Sequence, residues 1–222
     1  MTPGIQAVVD ALPYLLQGSL VTIVVVAGAM LFGFFLGIPL AVGQVFGSTR
    51  VSRFISIYVW FFRGIPILVL LFLFYFGLCS LLNINLSAFT VAIVVLGLCS
   101  SAYQSQIFRG AIQSLPRGQM MAARALGMSE TKAIVFIVLP QALRLSISGW
   151  SNEYSIILKD SAITYALGVT EIMARTHFVA TRTYQHLSLY LAAGALYLVL
   201  TYLGTRGLQV LEERLRIPGY HH

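Results

Sequence analysis

Charge is what this sequence has least of. Of its 222 residues only 9% are Asp, Glu, Lys or Arg, against roughly 25% in a soluble globular domain. With 58% hydrophobic residues and a mean hydropathy of +0.86, that scarcity excludes a water-soluble fold. Cysteine is scarce too. Cys79 and Cys99 both fall in apolar stretches and are expected at different depths, whereas a bridge needs Cα atoms within about 7 Å. Both are read as small core residues. No Gly-Lys pair exists anywhere, so no loop of the usual kind can cradle nucleotide phosphates. HExxH and zinc-type His/Cys clusters are missing, and His177 and His186 stand nine apart, so no metal site is expected. No nucleophile–base set can be placed, which leaves an enzyme reading little to stand on. The opening MTPGIQAVVDALPYLL lacks a basic n-region, so no cleavable signal peptide is expected. Neither an internal repeat nor the two-half symmetry of many secondary transporters is visible. The net charge of +7 does not point to nucleic acid. The bases flank apolar spans, and aromatic residues are spread throughout rather than interleaved with basic clusters.

What the sequence does have is long uncharged runs. Ala11–Thr49 and Gly64–Phe108 carry no formal charge. A membrane helix needs roughly 20 apolar residues. The chain therefore fits an all-α membrane protein of five transmembrane helices in a single domain over residues 1–220. His221 and His222 are read as a possible tag remnant. A short interfacial helix is expected over residues 1–14, around Asp10. The first span is expected over Leu16–Phe46, long enough to tilt or overhang. Gly33 and Gly37 within it are spaced for close helix approach, with a specific dimer contact among the options. Asn83-Ile84-Asn85 favours a turn. It divides the second uncharged run into a span over Ile55–Leu81 and a third over Leu86–Phe108. Pro66 should kink the second span or start a new segment. Ser148–Glu171 makes a fourth, unusually polar span. A loop with Arg175, His177, Arg182 and His186 follows, and Leu187–Thr205 opens the fifth. With the amino terminus outside and the carboxyl terminus inside, eleven of the 14 bases lie at the inner side and only Arg175 and Arg182 outside.

Between the third and fourth spans lies a basic, proline-bracketed segment, Gly110–Arg144. Pro116 suits the first turn of a helix, and Gly127 suits a left-handed cap at its end. A short helix over Leu115–Leu126 is expected to project from the membrane and turn back. The spacing here is distinctive: Ala122-Ala123, three residues, Gly127, nine residues, Ile137, one residue, Leu139-Pro140. It resembles the EAA loop of the permease subunits of type I ABC importers. The flanking AYQSQIFRGAIQSLPRGQ (Ala102–Gln119), ALGM (Ala125–Met128), LPQALR (Leu139–Arg144), NEYSIILKDS (Asn152–Ser161) and FFRGIP (Phe61–Pro66) are similar to the polar and basic amino-acid uptake branch. The likeness covers roughly residues 15 to 215.

That resemblance implies a cytoplasmic coupling helix seated in an ATPase subunit, with Met121, Ala122, Ala123, Ala125, Leu126 and Gly127 at the contact. Ala122 and Ala123 would let the helix seat deeply, Gly127 would make the turn, and Pro140 would re-enter the next element. The family's glutamate is here Met121, so either Glu130 takes over its pairing or docking is more hydrophobic. The resemblance further implies a dimer of permeases, identical or homologous, and two ATPase subunits carrying the ATP and Mg, with no cofactor bound by this chain. An extracytoplasmic solute-binding protein would deliver the amino-acid substrate, and the setting would be a prokaryotic inner or plasma membrane.

The fourth span offers the substrate site. An ionisable group at membrane depth costs several kcal/mol unless paired or hydrated, and so marks a cavity or a pairing. Glu153 and Asp160 are seven apart, on one helical face that continues to Thr164 and includes Ile156 and Ile157. These acids either contact substrate or pair with Lys159 or Arg63 to hold helices together. Asn152 accompanies them, and Tyr103 and Gln106 of the third span are secondary lining candidates; the branch usually has glutamate where Gln106 stands. Two carboxylates favour a cationic amino acid, arginine, lysine or histidine. The expected function is ATP-driven import of such a substrate by alternating access. An ABC permease for another small solute, a stand-alone secondary transporter or channel, and a non-transporting scaffold remain as alternatives.

Overall fold

The structure is a computed structural model that describes residues 3–116 and 118–215; Arg117, Arg216 and the suggested tag remnant His221–His222 lie outside the described residues. Every regular element among the described residues is helical. They are α1 (Pro3–Phe46), α2 (Thr49–Gly64), α3 (Ile67–Leu81), α4 (Ala88–Ser114), α5 (Gly118–Ala125), α6 (Glu130–Leu145), α7 (Ile147–Leu167), α8 (Ile172–Thr183) and α9 (His186–Leu215). α1, α4 and α9 are long and apolar enough to cross a membrane alone. Two further crossings arise if each bent pair, α2–α3 at 103° and α6–α7 at 57°, counts as one span.

Local chemistry sets most of the ends. The Ser48, Ser87 and Ser129 side chains cap α2, α4 and α6 by accepting from the backbone N–H of Val51, Thr90 and Lys132. Pro66 has no N–H to continue α2 and stands at the start of α3, as its sequence position implied. Asn83 takes φ +53° in the turn between α3 and α4, and Gly168 takes φ +91° after the 3-10 segment Ser161–Leu167 that ends α7. Ahead of Pro140, α6 widens into π-helical turns over Ile134–Val138. That widening accommodates a ring that would otherwise strike the carbonyl of Phe136.

Several expectations are corrected. The interfacial helix over residues 1–14 and the first span are one helix of 44 residues, about 66 Å long at 1.5 Å per residue. Asp10 does not interrupt it, because Gln6 donates to Asp10 Oδ1 at 2.9 Å along the same face. The second span is not one rod over Ile55–Leu81 but two helices meeting nearly at right angles at Pro66. The fourth reaches only Leu167, because Gly168 breaks it. The loop expected between the fourth and fifth spans is a 12-residue helix, α8. Glu171 caps it, accepting from Met173 N at 2.8 Å and Ala174 N at 2.7 Å, and it buries Ile172, Thr176 and Ala180 at helical spacing.

α1 and α4 form the central pair. Gly33 and Gly37 make that approach possible. A Cβ at Gly33 would lie 2.5 Å from Gln104 Nε2 and 2.9 Å from Ser100 Oγ, and one at Gly37 would lie 3.2 Å from Ser105 N. The glycine pair is thus spent inside this chain, against α4, rather than on a second copy. Around this pair, α2 and α3 pack Ile55, Val59, Leu70 and Leu71 against Val91, Val95 and Cys99 of α4. On the other side Val25, Val26, Ala29 and Met30 of α1 meet Ile157 and Leu158 of α7. Both cysteines are free thiols, Cys99 buried and Cys79 half-buried.

Candidate functional site

Two groups of residues are candidates, and they differ in how the fold treats them. The first is the polar face of α7. Glu153 is 2% exposed. Ser100 Oγ of α4 donates to its Oε1 at 2.9 Å. Ser100 Oγ in turn accepts from Gln104 Nε2 at 2.9 Å, and that same amide donates to the Met30 carbonyl of α1 at 3.1 Å. Gln104 Oε1 accepts from Trp150 Nε1 of α7 at 2.6 Å. One glutamine thus ties three helices together, in the space that Gly33 leaves open. Buried polar groups are costly unless all are bonded, and here each link serves the next.

Asp160, two turns beyond Glu153, is half-buried, and Thr164 is buried with its hydroxyl donating to the Ser161 carbonyl at 2.7 Å. The shared face read from the spacing is therefore present. The pairing alternative is not realised in this structure: the ion pair among the described residues joins Arg124 to Glu130, and no base closes on either acid of α7. Tyr103 is half-buried beneath Arg63, whose guanidinium carbon lies 4.6 Å from the ring centre. Asn152 is exposed, turned away from Glu153. Gln106 belongs to another cluster, donating to Gln44 Oε1 at 2.8 Å and accepting from Arg109 at 3.3 Å. Sequence reasoning missed Ser100, Gln104 and Trp150. The signal was there in the i, i+4 pairing of Ser100 with Gln104 on an apolar helix, opposite two glycines.

The second group is α5. Gly127 ends it at φ +80°. Met128 N donates to the Ala123 carbonyl at 3.1 Å and Gly127 N to the Arg124 carbonyl at 3.0 Å, the paired bonds of a Schellman cap. The helix is shorter than expected, running over Gly118–Ala125, and Pro116 precedes it rather than opening it: Pro116 supplies a carbonyl to Gln119 N at 3.0 Å. Ala123 is 4% exposed. It faces the rest of its own chain, where α5 packs against the widened turns of α6. Met121 and Leu126 are 66% and 84% exposed, and Ala122 and Ala125 are exposed beside them. These four positions lie on one side of the helix. Glu130 is engaged by Arg124, Nη1 to Oε2 at 3.4 Å, with both side chains more than half exposed.

Comparison with known proteins places this architecture. Residues 29–217 match the family described as binding-protein-dependent transport system inner membrane component. The chain is 32% identical over 211 residues to the arginine ABC transporter permease protein ArtQ of Haemophilus influenzae, covering 92% of this chain and 95% of that one. It is 34% identical to the probable amino-acid permease protein YxeN of Bacillus subtilis, covering 97% and 96%, and 33% identical to the octopine transport system permease protein OccQ of Rhizobium meliloti, covering 90% and 89%. Among solved structures it matches an amino acid ABC transporter crystallised with histidines, with a TM-score of 0.84 at 30% identity over 94% of this chain and 97% of that one. An inward-facing MetNI methionine ABC transporter, at TM-score 0.81 and 19% identity over 92% and 97%, shares the fold. The polar face of α7, the capped helix at Gly127 and these relatives agree: the chain belongs to the binding-protein-dependent transport inner membrane components, as a multi-pass amino-acid ABC permease.

Proposed function

We propose that this permease imports a cationic amino acid, with Glu153 and Asp160 meeting the positive side chain inside the bilayer. The observation that carries the reading is the state of Glu153: buried, held by a neutral serine, and within ion-pair distance of no base among the described residues. A carboxylate at that depth is costly on its own, and a cationic substrate supplies the missing charge. The relatives named for arginine and octopine uptake agree in direction. In this reading each bent pair is one span, which gives five crossings with the amino terminus outside. Thr164 and Tyr103 line the same space. Asn152 and Gln106, exposed and otherwise engaged, are left at its margin. α5 lies on the cytoplasmic side and couples to an ATPase dimer that binds ATP and Mg. Met121, Ala122, Ala125 and Leu126 form the docking face, Gly127 fixes its end, and Ala123 holds the helix to its own chain. A second permease, identical or homologous, completes the pathway, and an extracytoplasmic binding protein delivers the substrate.

The test is uptake of L-arginine by the full transporter in proteoliposomes. Glu153→Gln keeps an acceptor for Ser100 and removes the charge. Arginine uptake is expected to fall tenfold or more while assembly with the ATPase is retained. Unchanged arginine uptake, or a wild-type preference for glutamate or glutamine, overturns the cationic reading.

A further inference from the structure

A groove of about 460 Å³ runs between α1 and α9, with α7 as its floor. Its lining is almost wholly apolar, with Val26 and Met30 on α1, Leu158 on α7, and Leu203 and Leu208 on α9. The two aromatic residues of the floor spend their polar atoms inside the protein. Trp150 Nε1 donates to Gln104 at 2.6 Å, and the Tyr154 hydroxyl donates to the Leu200 carbonyl at 2.9 Å. Their apolar faces are left to the groove. Gly204 makes room for the Tyr154 ring, whereas a Cβ at Gly207, also in the wall, meets no heavy atom within 4 Å. Trp150 lines a second hollow as well, of about 180 Å³, which carries the groove on to Phe34 of α1 and Leu215 of α9. Arg144, the last residue but one of α6, stands in the wall of that hollow. It is exposed, and no acid closes on it among the described residues. Neither Glu212 nor Glu213, next to Leu211 of the same hollow, reaches ion-pair distance.

Length points to the occupant. At 1.5 Å per residue the lining advances about 16 Å along α1, from Ile23 to Phe34, and about 18 Å along α9, from Leu203 to Leu215. Both helices are long and apolar enough to cross a membrane, and one leaflet of its hydrocarbon core is about 15 Å deep. A furrow one leaflet long, apolar along its length and cationic at one end, has the outline of a single phospholipid. A guanidinium fork matches phosphate in geometry as well as charge, and a base with no acid on it favours a headgroup of net negative charge. We propose that this groove holds an acyl chain of an anionic phospholipid, with Arg144 on the headgroup phosphate. The bound lipid then bridges α1 and α9 beside the 57° bend between α6 and α7. The orientation proposed above puts the headgroup in the inner leaflet; the site itself depends neither on that orientation nor on Glu153.

The experiment titrates the delipidated permease–ATPase complex in detergent with dioleoylphosphatidylglycerol or dioleoylphosphatidylcholine and counts the lipids retained by native mass spectrometry. The wild type is expected to bind phosphatidylglycerol at least tenfold more tightly than phosphatidylcholine. Arg144→Gln should bring phosphatidylglycerol down to the level of phosphatidylcholine and leave the latter unchanged, while Arg144→Lys should keep part of the preference. Gly207→Leu puts a side chain into the groove and should weaken both lipids about tenfold. Ala27→Leu, from the opposite wall, should do the same, and serves if Gly207→Leu does not assemble. Equal binding of the two lipids by the wild type, or a preference that survives Arg144→Gln, overturns the headgroup contact and with it the proposal. Binding that neither Gly207→Leu nor Ala27→Leu weakens overturns the groove as the place of the chain. Displacement of phosphatidylglycerol by an equal concentration of glycerol 3-phosphate marks a site for soluble phosphate and overturns the lipid. A wild-type complex that retains neither lipid, the outcome if a second permease covers the groove, overturns it as well.

Discussion

The buried contact of α1, α4 and α7 and the exposed helix α5 treat their polar and apolar groups in opposite ways. Within the contact, Ser100, Gln104, Trp150 and Glu153 satisfy one another through bonds of 2.6–2.9 Å, and Gly33 gives them room. On α5 and its cap, Met121 and Leu126 are left in the open, uncovered by the other described residues. The hydrogen bonding of the first region is finished within one subunit, although Glu153 keeps a charge that no base meets among the described residues; the second region leaves an apolar face unfinished. Large exposed apolar side chains matter little on the spans, where lipid covers them. α5 is a short, poorly apolar helix outside the candidate spans, and there such side chains form the exposed face proposed above to dock an ATPase.

The largest effect is expected where the contact has no slack. Gly33→Leu would drive a branched side chain into Gln104 and Ser100, the two links that hold Glu153. Overpacking of this kind costs up to about 3 kcal/mol, and here it also breaks bonded polar groups. Thermal unfolding of the purified complex should shift down steeply, or the folded complex should not be recovered. Gly110→Ala is the control on the same central pair of helices. No heavy atom lies within 4 Å of the added Cβ. In a helix that exchange is neutral or stabilises by up to about 1 kcal/mol, by restricting the unfolded chain. If Gly33→Leu unfolds no earlier than Gly110→Ala, the contact is not the tight one its distances describe.

A smaller effect separates two adjacent alanines. Ala123 is buried with Met120 turned toward the cluster of Leu115, Val138 and Ala142, whereas Ala122 faces out. Ala123→Leu is expected to destabilise the permease itself by about 1–2 kcal/mol through overpacking. Ala122→Leu should stay within about 0.5 kcal/mol of the parent in stability and should weaken retention of the ATPase on co-purification. Equal stability losses from both would mean that α5 has no free face.

Much of this was legible in the sequence wherever the cause is local. The cap at Gly127, the turn at Asn83 and the break at Pro66 each follow from what one residue's backbone permits, and all three stand where the residues put them. The spacing of Glu153, Asp160 and Thr164 fixed their common face for the same reason. What could not be read was anything decided by a partner far along the chain. Nothing near Gly33 says that Gln104, 71 positions later, will need the space. Nothing local says that Glu153 will meet a serine of α4 rather than Arg63. α8 is a different case. Its two arginines and His177 suggested a loop, yet Ile172, Thr176 and Ala180 already showed the helical period, behind an acid suited to cap it. The join of residues 3–14 to the first span was hidden by Asp10, whose charge looked like a boundary and is met within the helix by Gln6.

The smallest expected effect tests whether Glu130 belongs to the finished part of the molecule or to the unfinished part. Its pairing with Arg124 at 3.4 Å links the end of α5 to the start of α6, with side chains 57% and 56% exposed. Exposed pairs of this sort contribute about 0–1 kcal/mol after screening by water and salt. Glu130→Gln should therefore lower the stability of the permease by no more than about 0.5 kcal/mol, and less at high salt. If Met121 and Leu126 dock the ATPase by packing alone, its retention should change as little as the stability does. If Glu130 instead supplies the charge that Met121 lacks, Glu130→Gln should release the ATPase while leaving the melting temperature in place, and Met121→Glu should recover it. Stability and ATPase retention, measured on the same two variants, thus separate a docking face that is purely apolar from one that keeps an acid at its edge.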